Sequence, residues 1–150
     1  MSDSKEFISQ VTPNIFSTIL DLEVFEQGEG DMEKGSKYVT ASVQINGTWN
    51  GVVTLSIPDG LSKDCAALMF DVASDEATEE DIEDAMGELA NMTGGSFKSL
   101  IDGTCELGLP VVTIGIDYQV KFPGSVLDCS TTFKCNEHLF RVSVHVREDE

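Results

Sequence analysis

The stretch from Asp81 to Ile101, DIEDAMGELANMTGGSFKSLI, constrains the chain most, because it reads as one long amphipathic helix with an unusual polar face. Thr78 is placed to cap the first turn, and Glu79, Glu80 and Asp81 set negative charge at the positive end of the helix dipole, so the helix begins near Glu79. At roughly 100° per residue, Ile82, Ala85, Met86, Leu89, Thr93, Ser96, Phe97 and Leu100 form the stripe that should bury. Asp84, Glu88, Asn91, Gly95 and Lys98 fall opposite.

Glu88 and Asn91 project together at i, i+3 spacing, bordered by Gly87, Gly94 and Gly95. Each glycine inside a helix costs roughly 0.8–1.0 kcal/mol relative to alanine, and asparagine is a poor helix former as well. A face selected for solubility alone would carry Lys, Glu or Gln. Two readings fit the spacing. One is a docking face where bare helix backbone admits a partner while Glu88 and Asn91 reach out of it; the other is an ordinary solvated face whose glycines end the helix near Thr93.

The rest of the chain supplies a scaffold. Phe7, Ile8, Val11, Ile15, Ile19 and Leu22 recur at helical spacing and predict a first helix over about residues 5–20, with Pro13 tolerated if Thr12 caps a helix that restarts there. Val39, Ala41, Val43 and Ile45 alternate with polar residues, and Asn46-Gly47 then reads as a tight turn before a strand from Trp49 to Ile57, giving a hairpin with one buried face. Leu61, Cys65, Leu68 and Met69 mark a short helix that closes near Phe70. After the long helix, Val111 to Phe122 reads as one extended apolar run. Residues 126–134 and 139–146 read as a hairpin around Asn136-Glu137, with Val142, Val144 and Val146 facing inward. This order predicts an α+β fold: a mostly antiparallel sheet with the long helix and two further helices packed against it, in one domain of 150 residues.

Charge and cysteine usage exclude several classes of function. A net charge of −18 opposes binding to nucleic acid or an anionic membrane by charge. The four cysteines, Cys65, Cys105, Cys129 and Cys135, show no CxxC spacing, and Cys129 and Cys135, which flank a strand, read as buried small residues. The first ten residues carry neither a basic n-region nor an apolar h-region, and no apolar run approaches the roughly 20 residues of a membrane span, so a cytoplasmic, reduced protein is expected. His138 and His145 have no metal-ligand spacing with another His or Cys, so no metal site is expected. No GxxxxGK[ST] or GxGxxG is present between a strand and a helix. Only Glu88 and Asn91 remain as candidate chemistry.

Asp84-x3-Glu88-x2-Asn91 followed by Gly94-Gly95 resembles the signature helix of the CheC/CheX/FliY chemotaxis phosphatases, and CheX most of all. Phe7-Ile8 through Leu20 resembles that family's first helix, Leu61-Ser62 through Leu68-Met69 its middle helix, and Leu109-Pro110-Val111-Val112 with Gly115 its next strand, so nearly the whole chain is covered. Two departures stand out. The family pattern places a proline somewhat farther beyond the asparagine than Pro110 stands from Asn91, and a single Glu-Asn helix is present where CheC proteins carry two; the first helix, with Gln10 and Asn14, lacks the motif.

The resemblance implies dephosphorylation of a phosphoaspartate on a CheY-like response regulator. Glu88 and Asn91 would be the catalytic pair, with Asp84, Gly87, Gly94, Gly95 and Lys98 as partner contacts. No cofactor would be bound by this chain, because the regulator itself holds Mg²⁺. The resemblance also implies a homodimer, paired through the long apolar strands of the C-terminal half. The competing expectation is a CheX-like binding module that docks on a regulator or flagellar-switch component without turnover.

Overall fold

Antiparallel pairing organises the whole sheet. The computed structural model describes residues 4–28, 32, 35–116 and 122–148. In chain order these form α1 (Ser4–Leu20), β1 (Phe25–Gly28), β2 (Tyr38–Gly47), β3 (Gly51–Pro58), α2 (Asp59–Phe70), a 3-10 turn (Ser74–Glu76), α3 (Glu79–Lys98), β4 (Cys105–Leu107), β5 (Val111–Gly115), β6 (Ser125–Cys135) and β7 (His138–Arg147). The strands lie in the order β1-β6-β7-β3-β2, and β4 and β5 both pair with β2 along its outer edge. The α+β expectation of helices on an antiparallel sheet therefore holds.

Alternation along the strands sends one set of side chains toward the helices. Val39, Ala41, Val43 and Ile45 of β2 join Val53, Leu55 and Ile57 of β3 and Phe140, Val142 and Val144 of β7 in the core. α1 seats Phe16 on Phe140, with ring centroids 4.9 Å apart, and Phe140 stacks in turn on Phe133 at 5.4 Å. Leu61, Cys65 and Ala66 of α2 close the same core.

Several local expectations are corrected. α1 runs unbroken through Pro13 instead of restarting there, because Ile8, Thr12, Ile15 and Phe16 form one buried stripe across the proline. Thr12 is not a cap; its hydroxyl is buried without a hydrogen-bond partner. β2 continues through Gly47, and the turn before β3 is longer than two residues: the Asn50 side chain accepts from the Gly47 N–H at 3.2 Å and donates to its carbonyl at 3.0 Å. Glycine is needed at position 47 on two counts: its φ of 148 lies in the region that favours glycine, and a Cβ there would meet the Thr104 carbonyl oxygen.

The hairpin is also not one-sided. β3 is a central strand, and Val52, Thr54 and Ser56, which alternate with its core residues, are buried too. Leu68, expected on the buried stripe of α2, is exposed, its place in the core taken by Ala66 and Ala67. The run expected from Val111 to Phe122 forms a strand only as far as Gly115, and residues 117–121 lie outside the described set. By contrast the 136–137 turn is as expected, with Asn136 at φ 54 joining β6 to β7.

Candidate functional site

α3 begins at the capping box expected from Thr78. The Thr78 hydroxyl accepts from the Asp81 N–H at 3.1 Å, and the Asp81 carboxylate accepts from the Thr78 N–H at 3.0 Å. Thr93 and Phe97, both buried, hold the helix to the core on either side of Gly94-Gly95, so α3 does not end at Thr93 but continues to Lys98. Thr93 donates its hydroxyl to the Leu89 carbonyl at 2.8 Å, which satisfies the one polar group this packing buries there.

Tertiary packing sorts the three glycines. A Cβ on Gly94 would lie 2.3 Å from Val43 Cγ1 and 3.2 Å from Leu107 Cδ1, so this glycine lets α3 sit directly on β2 and β4. Gly87 is buried against Pro110 and Val112, where a Cβ would make contact at 3.4 Å. The expectation that Gly87 and Gly94 face a partner is therefore corrected: both look inward. A Cβ on Gly95 would meet nothing within 4 Å. Gly95 alone of the three borders open space.

The outward side of α3 carries Asp84, Glu88, Asn91, Gly95 and Lys98, spaced so that each lies one turn beyond the last. Asp84 and Glu88 are exposed, whereas Asn91 is half-buried. Neither the Glu88 carboxylate nor the Asn91 amide makes a hydrogen bond or ion pair among the described residues. Both groups are uncommitted, and they stand on a helix whose opposite side is fully packed.

Asn91 opens into a groove of about 540 Å³ between α1 and α3. α3 contributes Asn91, Met92, Gly95, Ser96 and Ser99 to it; Asn14, Ile15, Thr18 and Ile19 of α1 form the facing wall. Sequence reasoning missed that wall. Ile19 was expected to bury but is 44% exposed, and the available signal was the polar Asn14–Thr18 pair at i, i+4 spacing beside it. The edge-on contact of Phe7 with Phe97, centroids 5.9 Å apart, fixes α1 against α3.

The remaining titratable groups lie elsewhere. Lys98, at the C-terminal end of the outward ridge, acts on Cys105 rather than lining the groove. The Cys105 thiol is held below its ordinary value chiefly by the Thr48 hydroxyl 3.5 Å away, with smaller help from backbone groups and the Lys98 ammonium. Burial pushes the Cys65 and Cys135 thiols up, and that of Cys129 to about 11, so none of these three is an activated nucleophile. His145 is half-buried on β7 with its ring edge-on to Phe122, and burial lowers its pKa. Among the described residues no group of three or more His, Cys, Asp or Glu is arranged to hold a metal ion, and no helix is long and apolar enough to cross a membrane. The site offers one amide, one carboxylate and a groove.

Comparison with known proteins gives this arrangement a context. A family model described as chemotaxis phosphatase CheX matches residues 39–134. The fold is similar to that of CheX from Desulfovibrio desulfuricans, at 23% identity over 98% of this chain and 100% of that one, with a TM-score of 0.76. It is similar to CheX from Vibrio vulnificus at 17% identity, 94% and 93% coverage and a TM-score of 0.75. A third likeness is to a CheX-CheY-BeF3-Mg²⁺ complex from Borrelia burgdorferi, at 16% identity, 99% and 100% coverage and a TM-score of 0.73. No curated protein matches the chain.

Proposed function

The chain belongs to the CheX family of chemotaxis phosphatases, and we propose that it dephosphorylates the phosphoaspartate of a CheY-like response regulator through Glu88 and Asn91. The observation that carries this reading is the uncommitted Asn91 amide, half-buried at the mouth of a groove and one turn from an equally uncommitted Glu88. The Borrelia burgdorferi complex, in which a protein of this fold is bound to CheY with BeF3 and Mg²⁺, supports the choice of partner.

An acyl phosphate needs little acid–base help, and the metal that balances its charge belongs to the regulator. The phosphatase must chiefly hold one water in line with the phosphorus. An asparagine amide suits the task, because its carbonyl accepts from that water while its NH₂ donates toward the phosphoryl oxygens. Glu88 pairs with a cationic side chain of the regulator and sets the register of docking, with Asp84 extending the acidic contact along the ridge. Gly95 gives clearance beside Asn91, and Lys98 marks the far end of the contact. No cofactor is needed on this chain.

Asn91→Ala is expected to slow regulator dephosphorylation by about a hundredfold or more while leaving the melting temperature and regulator binding near wild type. Glu88→Ala is expected to weaken the complex as well, by about tenfold. Hydrolysis by Asn91→Ala at the wild-type rate would sink the mechanism. A wild-type chain that binds the phosphorylated regulator without shortening the phosphate's lifetime is instead a binding module.

A second copy of the chain is the proposed partner for a different surface. Leu109 and Val111, exposed at 90% and 62%, line a groove of about 380 Å³ with Phe122 and Pro123, and Ile116, Val126 and Leu127 are exposed as well. Among the described residues β5 is an edge strand, so Val111 stands beside unpaired backbone groups. Light scattering over a range of concentrations is expected to report a dimer, and a strict monomer throughout overturns it.

A further inference from the structure

We infer that α1 is the second half of the regulator-binding site: the groove between α1 and α3 receives an uncharged segment of the regulator next to its phosphoaspartate, with Thr18 and Ile19 as contacts that select the partner. The inference rests on the function proposed above and extends it to a helix that carries no catalytic motif.

Three observations converge. First, Asn91 lines the groove, so any phosphoryl group brought to its amide arrives with the neighbouring part of its carrier over α1. Second, Gly95 forms part of the groove although nothing touches it, and a Cβ there would enter open space. Packing does not require a glycine at that position, while helix propensity opposes one. The empty volume is therefore the property that this glycine preserves. Third, the charge pattern has two parts. In a chain with 27 acidic and 9 basic residues, no charged side chain lines the groove, whereas Asp84 and Glu88 lie just N-terminal to it on the same ridge.

That division prescribes the occupant. Burying a charge against Ile15, Ile19 and Met92 without a counter-charge is costly, so the inserted segment is uncharged. The cationic part of the regulator falls instead on Asp84 and Glu88. The orientation is thereby set: regulator lysine toward the N-terminal half of α3, and regulator loop between α1 and the C-terminal half. Exposed Ile19 from α1 and half-buried Met92 from α3 give both walls of the groove an apolar side chain. Thr18, exposed on the α1 wall, faces the space that the loop would fill, which makes it the position where bulk changes fit without disturbing the core.

The test is a binding titration that needs no turnover, using a CheY-like receiver domain loaded with Mg²⁺ and beryllium fluoride. Thr18→Trp is expected to weaken binding by about tenfold or more, because the indole occupies the groove. Ser17→Trp, which adds the same bulk to an exposed α1 residue outside the groove, keeps wild-type affinity. Both variants retain the wild-type melting temperature. Wild-type affinity in Thr18→Trp overturns the inference, as does an equal loss in Ser17→Trp. If Thr18→Trp loses affinity while Asn91→Ala still hydrolyses normally, the docking groove stands and the catalytic reading falls. A wild-type chain that binds no loaded regulator overturns both.

Discussion

Gly94 and Gly95 are adjacent and chemically identical, yet they serve opposite sides of one helix. Gly94 is pressed onto Val43 so closely that a single added carbon would lie 2.3 Å from a methyl group, whereas the same carbon on Gly95 would touch nothing. One glycine brings α3 down onto the sheet; the other keeps a groove open beside Asn91. The difference teaches that a glycine on a functional helix is to be read by what surrounds it, since close approach and clearance leave the same letter in the sequence.

The largest effect expected from breaking this contrast is at the inner glycine. Gly94→Ala gains helix propensity but forces Val43, a stiff β-branched residue at the centre of the core, or the whole helix, to move. A net loss of about 1–3 kcal/mol is expected in denaturant unfolding. Because α3 shifts as a body, dephosphorylation should fall with it. A variant as stable as wild type would mean that the helix does not rest on Val43.

The outer glycine should respond with the opposite sign. Gly95→Ala has the propensity gain without a clash, so stability is expected to rise by roughly 0.8–1.0 kcal/mol. Its methyl enters the groove, and affinity for a loaded regulator should decline while the melting temperature climbs. A gain in both would break the comparison, since the open space would then have no use.

These contrasts also mark how far the sequence could be read. The start of α3 was legible because a capping box is local: Thr78 and Asp81 find each other within one turn. Glu88 and Asn91 were legible for a similar reason, since helical spacing alone puts them outside. The inner placement of Gly87 and Gly94 was not. The buried arc of α3 is widened by Leu107 and Pro110, which wrap around the helix from β4 and the segment leading to β5, and no periodicity within α3 records their approach. Gly47 was legible in part: it read as a turn residue and has a φ of 148, but the close approach of Thr104, 57 residues away, leaves no local sign. Pro13 read as a break, and the buried stripe through it prevailed over the local rule. The α1 wall carries no motif at all, so only the packing of α1 on α3 brought Thr18 and Asn91 to one groove.

The smallest effect is expected at Gly87, and it sharpens the comparison because this glycine lies between the two extremes. It is buried like Gly94, yet a Cβ would stand 3.4 Å from Pro110 Cγ and 3.8 Å from Val112 Cγ2, distances of ordinary contact. Gly87→Ala therefore gains nearly the propensity of Gly95→Ala and adds a little apolar contact, against a small displacement of Pro110. Pro110 precedes β5 in a segment without regular structure, where a shift of a few tenths of an ångström is easily accommodated. Stability within about 0.5 kcal/mol of wild type is expected, on either side. A loss as large as that of Gly94→Ala would show instead that Pro110 is held rigidly against α3, so that the segment before β5 sets the height of the helix, and with it Glu88 and Asn91, above the sheet.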